Sequence, residues 1–234
     1  MNIAEKINFI SNWILDYSNK NNFSSLVIGI SGGIDSAVTS TLSANTTIQT
    51  HVVTMPILHH QTLNDRGNNH VEWLKKKFSN ITHHHIDLSR VFNEFQTELK
   101  DNNSEHGYAN SQARLRMTTL YQIAASNNGI VVGTGNKVED FGIGFYTKYG
   151  DGGVDISPIA DCLKTEVWDM GKELGINQEI IDADPTDGLW SDGRTDEHQV
   201  GLSYKEIEEA MLNENSSNRD RYLEIRSMNI HKME

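Results

Sequence analysis

Glycines, hydroxyls and one acid stand together in a short stretch near the start of the chain. Residues 29–38 read GISGGIDSAV and directly follow the apolar run LVI at 26–28. Gly32 and Gly33 allow backbone N–H groups to come close to phosphate oxygens, and the helix predicted from Asp35 adds the positive end of its dipole. The stretch has no lysine and therefore differs from the common P-loop. Its residue types still predict a loop that binds phosphate groups.

The acid of this loop implies a metal ion. Asp35 would repel phosphate oxygens unless a divalent cation lay between the two groups, and Mg²⁺ binds carboxylate and phosphate oxygens together. Ser31 and Ser36 can donate hydrogen bonds to the same phosphate oxygens. We therefore predict that the loop holds phosphates together with Mg²⁺.

Strand-like and helix-like patterns alternate around this loop and must position it. The predicted elements, in chain order, are a helix over 3–17, a strand over 26–30, a helix over 35–44, a strand over 48–55, a helix over 68–78, a strand over 81–88, helices over 89–99 and 110–127, and a strand over 129–133. This alternation predicts a Rossmann-like α/β fold, in which an open parallel sheet carries helices on both faces.

Two polar stretches should meet at one edge of this sheet. Ligands of open α/β sheets bind beyond the carboxyl ends of the strands. The phosphate-type loop and the stretch TGN at 134–136 each follow a predicted strand. From about residue 134 the strand–helix alternation ends and Gly-rich stretches dominate. We therefore predict one domain over 1–234 with an elaborated C-terminal third.

Composition narrows the possible partners. The formal net charge of −12 disfavours nucleic acid, because binding to a phosphate backbone needs clustered Lys and Arg. No apolar run approaches the ~20 residues of a membrane span, and the N-terminus lacks the layout of a signal peptide. The single cysteine, Cys162, allows no internal disulfide. These features predict a cytoplasmic protein without membrane contact.

The glycine loop resembles the motif SGGxDS of the N-type ATP pyrophosphatases. Members of this group bind the pyrophosphate part of ATP with the motif and cleave ATP between its α and β phosphates. Their fold is of the adenine nucleotide alpha hydrolase type. GMP synthetases, asparagine synthetases and tRNA-modifying enzymes share the motif, so the loop alone does not identify a substrate.

A second stretch is more specific. Residues 133–159 read GTGNKVEDFGIGFYTKYGDGGVDISPI, which resembles the NAD synthetases. Five further segments are similar to the same family and extend the resemblance over about residues 26–232: QARLRM at 112–117, LKT at 163–165, DPTDGLW at 184–190, TDE at 195–197 and GLSY at 201–204.

The resemblance implies a two-step reaction. The nicotinate carboxylate of deamido-NAD attacks the α-phosphate of ATP, and ammonia then displaces AMP, which yields NAD, AMP and pyrophosphate. Glutamine-dependent relatives carry an amidase domain with a cysteine nucleophile, whereas the only cysteine here lies in the synthetase part. Free ammonia is therefore the expected nitrogen source. Members of the family are homodimers, and the resemblance implies a homodimer here.

The resemblance also implies roles for individual residues. ATP is expected to contact Gly29, Ile30, Ser31, Gly32, Gly33, Ile34, Asp35, Ser36, Thr134, Lys164 and Thr186. Deamido-NAD is expected to contact Arg114, Lys148, Asp155, His231 and Lys232. Asp35 and Glu139 are expected to bind Mg²⁺, and Asp151 and Lys164 are expected to be catalytic. Asp140 stands beside Glu139, and either acid can be the second magnesium ligand.

Two other functions compete with this interpretation. One is a tRNA-modifying or amidotransferase-type synthetase with the same loop, although the acidic surface argues against a tRNA substrate. The other is a non-enzymatic sensor of adenine nucleotides with the same α/β fold. A sensor would need the glycines but no pair of acids for a metal. The pair of Asp35 and Glu139 therefore distinguishes an enzyme from a sensor.

Overall fold

The computed structural model describes residues 1–57, 61–186 and 195–233. Within these residues one parallel sheet has the strand order β3-β2-β1-β4. Its strands are β1 (Ser25–Gly29), β2 (Gln49–Thr54), β3 (Ile81–His85) and β4 (Gly129–Val131).

The sheet is surrounded by helices. These are α1 (Ile3–Lys20), α2 (Ile34–Asn45), α3 (Gln61–Lys77), α4 (Ser89–Glu98), α5 (Glu105–Ser126), α6 (Lys164–Leu174), α7 (Gln178–Ile181), α8 (Asp196–Val200), α9 (Tyr204–Leu212) and α10 (Arg219–Met233). A π-helical turn spans Lys137–Ile143.

Both faces of the sheet are covered, as its apolar strands require. On β1, Leu26 and Ile28 pack into a core with α1, α2 and α6, whereas Val27 points to the opposite face and packs with side chains of α4 and α5. Helix α3 covers the first face near β2 and β3. The predicted α/β fold with helices on both faces of a parallel sheet is confirmed.

The strand order creates a crevice beside β1. The chain moves outward from β1 to β2 and β3, then returns through α4 and α5 to place β4 on the other side of β1. The direction of the strand order therefore reverses between β1 and β4, and such a switch point is where open α/β sheets bind ligands. The glycine loop follows β1, and the TGN stretch lies just beyond β4.

The C-terminal third forms its own apolar cluster beside the sheet. Val138 and Ile143 of the π-helical turn pack with Tyr204 of α9 and with Tyr222 and Ile225 of α10. Helix α6 joins this part to the sheet layer, because it contacts α9 as well as α1 and α2. Among the described helices, none is both long enough and apolar enough to cross a membrane.

The apolar stripe of α1 belongs to the core. Asn2 and Glu5 form a capping box that begins the helix, with 2.8 Å from Glu5 N to Asn2 Oδ1 and 2.9 Å from Asn2 N to Glu5 Oε2. Ile7, Ile10 and Ile14 are then buried in the cluster shared with α2 and α6. This stripe is therefore not an exposed surface for a second subunit.

One buried histidine links α3 to α2. The ring of His70 is fully buried, its Nε2 lies 3.0 Å from Ser40 Oγ, and it stacks on Trp73. Burial lowers the pKa of His70 to about 4. The folded protein therefore holds this histidine in its neutral form.

We expect His70 to make the fold less stable in mild acid. Because its pKa is lower in the folded chain, the unfolded chain takes up the proton first as the pH falls below 6.5. The contribution of neutral His70 to the free energy of unfolding is thus complete above pH 6.5 and is lost as the pH falls towards 4. Between pH 7.5 and pH 5 the free energy of unfolding should fall by about 2 kcal/mol from this group. In urea titrations at the two pH values, His70→Gln should lose this difference and His85→Gln, at an exposed histidine, should retain it. Equal pH dependence in all three proteins would contradict the assignment.

Candidate functional site

The glycine loop is held against α3. Gly32 has a φ of +85°, a left-handed backbone conformation that favours glycine. A Cβ on Gly32 would collide with the carbonyl oxygen of Leu63 and would lie 3.2 Å from the backbone nitrogen of Gly67. The loop therefore needs glycine here for both its turn and its close approach to α3.

The start of α2 is open to an anion. Gly33 is the N-cap of α2 and offers no side chain to the first backbone N–H groups of the helix. Such N–H groups and the helix dipole attract phosphate. Ser31 is exposed beside them, whereas Ser36 is buried and accepts a hydrogen bond from Ser31 N at 3.2 Å. Ser36 Oγ also donates to the carbonyl oxygen of Gly33 at 3.0 Å, so this side chain fixes the shape of the loop.

Asn136 connects the two loops at the crevice. Its Oδ1 accepts hydrogen bonds from Val138 N at 3.0 Å and from Glu139 N at 3.1 Å, which caps the π-helical turn. Its Nδ2 donates to Asp35 Oδ1 at 2.9 Å. The amide side chain thus brings the acid of the first loop towards the acids of the π-helical turn. Turns of this kind are rare and occur frequently at functional sites.

Two carboxylates converge on one lysine at the centre of the site. Lys164 Nζ lies 2.6 Å from Asp35 Oδ2 and 2.8 Å from Glu139 Oε1. Only 2% of the Lys164 side chain is exposed, so this cation depends on its two partners. Burial alone would lower the pKa of Lys164, but the charges of Asp35 and Glu139 outweigh burial and raise it above its ordinary value. In return, Lys164 holds the pKa of Glu139 below its ordinary value despite burial.

Tyr204 closes this cluster from the C-terminal side. Its hydroxyl lies 2.6 Å from Glu139 Oε1 and 3.1 Å from Asp196 Oδ2. Burial and the nearby carboxylates raise the pKa of Tyr204 far above its ordinary value, so the hydroxyl keeps its proton. Lys164 Nζ also lies 4.8 Å from the centre of the Tyr204 ring. Tyr204 therefore donates a hydrogen bond to Glu139 and holds its carboxylate in place.

The cluster suits a divalent cation. Asp35 and Glu139 present carboxylate oxygens to a single cationic nitrogen, so the same oxygens are close enough to share a metal ion. Oxygen ligands of this type, completed by phosphate oxygens and water, are those that Mg²⁺ prefers. The residues present therefore fit the metal that the sequence predicts.

Asp140 has a different environment from Glu139. A Cβ on Gly135 would collide with the Asp140 carboxylate, so this acid packs directly on the TGN loop. Burial, then the charges of Glu139, Asp151 and Asp35, raise the pKa of Asp140 to about 8. Glu139 therefore shares Lys164 with Asp35, whereas the contacts of Asp140 are with the TGN loop.

A pocket of about 540 Å³ opens above this cluster, which is within the size range of small-molecule sites. Of the residues expected to bind ATP, all except Gly32 line it, and so do Glu139 and Asp151. Thr186 is the last described residue before a gap, and the rest of its motif at 187–190 lies outside the described residues. The expected ATP, metal and catalytic residues are therefore gathered at one place.

Of the residues expected to bind deamido-NAD, some line the pocket and others lie outside it. Lys232 lines the pocket and its Nζ donates to the Gly144 carbonyl oxygen at 2.9 Å. Arg114, Lys148 and His231 form a connected surface group outside the pocket lining. Arg114 Nε and Nη2 each lie 3.3 Å from the Lys148 carbonyl oxygen, and Lys148 Nζ donates to the His231 carbonyl oxygen at 2.9 Å.

Two expected acids hold backbone elements. Asp155 Oδ2 accepts from Val131 N at 2.7 Å and its Oδ1 accepts from the Tyr121 hydroxyl at 3.1 Å, so it secures the end of β4. Asp151 Oδ1 accepts from Thr147 N at 2.9 Å, which fixes the turn that carries the pocket-lining carboxylate.

Sequence reasoning missed several members of the site. Asn136 and Tyr204 lie within stretches that resembled the family, but their types alone did not reveal that they contact Asp35 and Glu139. Arg116 also lines the pocket, and its Nε donates to the Met55 carbonyl oxygen at 3.1 Å. The sequence did contain a signal for Arg116: it stands two residues from Arg114, and residues two apart on a helix point to different faces.

The parallel sheet carries a glycine loop at its switch point, together with two carboxylates that could bind a metal ion. These features are typical of an α/β nucleotide-binding protein. A model of the NAD synthase family matches residues 6–233 of the chain. The chain therefore belongs to the NAD synthase family. It is an enzyme of NAD biosynthesis, a ligase that forms a carbon–nitrogen bond.

Individual relatives agree with this assignment. The chain is 37% identical over 221 residues to the NH(3)-dependent NAD(+) synthetase of Carboxydothermus hydrogenoformans, a match that covers 91% of this chain and 86% of that protein. It is 41% identical over 215 residues to the protein of the same name from Alkaliphilus metalliredigens, with 89% and 86% covered. The tRNA-modifying and sensor alternatives are not favoured.

A solved structure of NMN synthetase from Francisella tularensis is similar throughout. It superposes with a TM-score of 0.92 at 32% sequence identity and covers 100% of this chain and 97% of that one. The NH3-dependent NAD synthetase from Campylobacter jejuni gives a TM-score of 0.77 at 23% identity, with 100% and 93% covered, and supports the fold.

Proposed function

We propose that this ligase is an ammonia-dependent NAD synthetase that uses ATP, Mg²⁺ and deamido-NAD. The observation that carries the proposal is the convergence of Asp35 and Glu139 on Lys164, directly beside the open N-terminus of α2. A site that only stored a nucleotide would not need two largely buried acids at its phosphate end. Such acids are useful where a metal must assist the departure of pyrophosphate.

The first step places negative charge on the leaving pyrophosphate. The N–H groups at the start of α2 and the exposed Ser31 hydroxyl are oriented by the loop before the reaction and can donate to this group. When bound by Asp35 and Glu139, Mg²⁺ would neutralise part of the developing charge. Lys164 holds both carboxylates in place and supplies a further positive charge at the same point.

The second step needs neutral ammonia at the acyl carbon. Asp151 lines the pocket on a turn fixed by Thr147 N–H, so its carboxylate can accept the proton that is released when neutral ammonia attacks the acyl carbon. The apparent affinity for total ammonium should therefore improve as the pH rises towards ~9, where more of the nitrogen is neutral.

The direct test is product analysis. Purified protein supplied with ATP, Mg²⁺, ammonium and deamido-NAD should release AMP, pyrophosphate and NAD. Release of ADP and phosphate would contradict cleavage between the α and β phosphates. Comparable turnover with glutamine in place of ammonium would contradict the assignment of free ammonia.

A second candidate substrate is nicotinate mononucleotide, whose amidation by the same chemistry would yield NMN. It is supported by the likeness to the Francisella tularensis NMN synthetase. A mononucleotide is also supported by the position of three residues expected to contact deamido-NAD. Arg114, Lys148 and His231 lie outside the lining of the pocket, and a smaller substrate would not need to reach them. Competition between the two substrates decides the matter. We expect kcat/KM at least tenfold higher for deamido-NAD, and the reverse ratio would assign the chain to NMN synthesis.

We also propose that the protein acts as a homodimer. Val91 and Phe95 expose 52% and 41% of their surface and line an open groove together with Arg114. A second subunit that covered this groove would bury the exposed apolar side chains next to an expected dinucleotide contact.

Light scattering should therefore give about twice the chain mass of 26.3 kDa. Phe95→Asp should produce a monomer because it places a charge in the interface, and turnover of deamido-NAD should fall. Phe9→Asp, at an exposed phenylalanine of α1, should remain dimeric. A fully active monomeric wild-type protein would contradict the proposal, as would loss of the dimer only in Phe9→Asp.

A further inference from the structure

The pocket has an acidic lining, although it is proposed to bind a triphosphate. The described acids that line it are Asp35, Asp87, Glu139, Asp140, Asp151, Asp184 and Asp196. The Lys and Arg side chains that line it within the described residues are Arg66, Arg116, Lys164 and Lys232. Phosphate binding in such surroundings depends on these few cations.

Three of the four cations already have partners in the protein. Lys164 is held by Asp35 and Glu139, as described above. Arg116 Nε donates to the Met55 carbonyl oxygen, and Lys232 Nζ donates to the Gly144 carbonyl oxygen. These contacts fix the positions of the three side chains.

Arg66 differs from the other three cations. Its Nε is buried, and it has no hydrogen-bond partner among the described residues. A buried N–H donor without an acceptor is unfavourable, and a small shift of the Arg66 side chain towards an anionic ligand in the pocket would satisfy it. The guanidinium group also has the fork geometry that matches two phosphate oxygens at once.

The position of Arg66 places it beside the glycine loop. It precedes Gly67 on α3, and a Cβ on Gly67 would lie 3.6 Å from Gly32 N and 3.7 Å from the Ile30 carbonyl oxygen. This segment of α3 is therefore packed against the loop that is proposed to hold pyrophosphate. Arg66 and the loop residues Ser31 and Gly33 line the same pocket.

We propose that Arg66 binds the pyrophosphate portion of ATP beside the glycine loop. The inference rests on the proposed function in that ATP is the nucleotide bound. It adds a cation, supplied by α3, that the resemblance to the family did not assign. Its ligand is a phosphate group rather than the nucleoside or the nicotinate end.

The test compares the binding of two probes by titration calorimetry. Magnesium pyrophosphate reports the phosphate contact, and AMP reports the nucleoside contact. In Arg66→Met the Kd for pyrophosphate should rise about tenfold to hundredfold, as expected for loss of hydrogen bonds from a charged donor. The Kd for AMP should remain within about twofold of the wild-type value. Arg66→Lys should recover part of the pyrophosphate affinity, because it restores the charge without the fork.

Arg90→Met, at an exposed arginine of α4, is the matched control and should bind both probes like the wild type. Unchanged pyrophosphate affinity in Arg66→Met would overturn the inference. Equal weakening of both probes together with a lowered melting temperature would also overturn it, because it would show a structural role. A wild-type protein that binds neither probe would instead contradict the proposed function, so the two failures are distinguishable.

Discussion

Asp35→Asn should reduce the formation of the adenylate by about 10²-fold or more, comparable to the loss of one electrostatic element of a transition-state site. The substitution keeps the size of the side chain and its acceptor for Asn136 but removes the negative charge that faces Lys164. The metal would then lose one of its two carboxylate ligands while the loop keeps its shape. ATP–pyrophosphate exchange in the presence of deamido-NAD measures the step directly.

The neighbouring acids provide the internal comparison. Glu139→Gln should have an effect of similar size because Glu139 is the second carboxylate on Lys164. Asp140→Asn should have a smaller effect because that carboxyl packs on Gly135 instead. Full exchange activity in Asp35→Asn at saturating Mg²⁺ would show that this carboxylate is structural. A larger effect at Asp140 than at Glu139 would show that Asp140 is the metal ligand.

Lys164→Met should have two effects that can be measured separately. Turnover should fall by about 10²-fold to 10³-fold, because a positive charge at the leaving group is lost. The metal-free protein should also lose about 3 kcal/mol of unfolding free energy, because two largely buried carboxylates lose their shared counter-charge. Added Mg²⁺ should stabilise Lys164→Met more than the wild type, because the ion replaces the missing charge between Asp35 and Glu139.

Urea titrations with and without Mg²⁺ measure the second effect. Lys172→Met is the matched control on the same helix, because Lys172 forms an exposed ion pair with Asp169 at 2.9 Å. Exposed pairs contribute at most about 1 kcal/mol, so this variant should change little. If Lys164→Met were as stable as the wild type without metal, and Mg²⁺ had no additional effect on it, the proposed role of Lys164 as the shared counter-charge of Asp35 and Glu139 would be wrong.

Local sequence patterns predicted the glycine loop, which is the part of the site that a single continuous segment of the chain forms. The apolar run before Gly29 and the small residues after it indicated a buried strand, a tight loop and a helix start. Gly32 confirms this local reasoning, because its positive φ and close contact with α3 require a glycine. The order of strands and helices up to residue 133 likewise predicted the layered α/β fold.

Helix boundaries were predicted less well where local signals conflict with tertiary packing. The helix expected from residue 68 begins at Gln61. The prediction missed residues 61–67 because this segment has no clear apolar periodicity and contains Gly67. That glycine lies against the loop after β1, so packing stabilises helix there. The helix expected from residue 110 begins at Glu105, where Ser104 Oγ accepts a hydrogen bond from Gly107 N at 3.2 Å.

The geometry of the charged cluster could not be predicted from local patterns. Asp35, Glu139 and Lys164 are distant in the sequence, and their contact depends on the order of strands and on the π-helical turn. Helices α6 and α10 were also missed as elements, and they carry Lys164 and Lys232 respectively. Only tertiary packing determines which lysine lies between the two acids.

In the proposed reaction, the carboxylate of the substrate attacks the α-phosphate of ATP, and ammonia then displaces AMP from the acyl carbon. The most direct measurement uses deamido-NAD whose nicotinate carboxylate carries a heavy oxygen isotope, with mass spectrometry of AMP and pyrophosphate after a single turnover. Attack on the α-phosphate must leave one carboxylate oxygen in AMP when ammonia displaces it, so we predict labelled AMP and unlabelled pyrophosphate. AMP without the label, or ADP in its place, would contradict this account of the site.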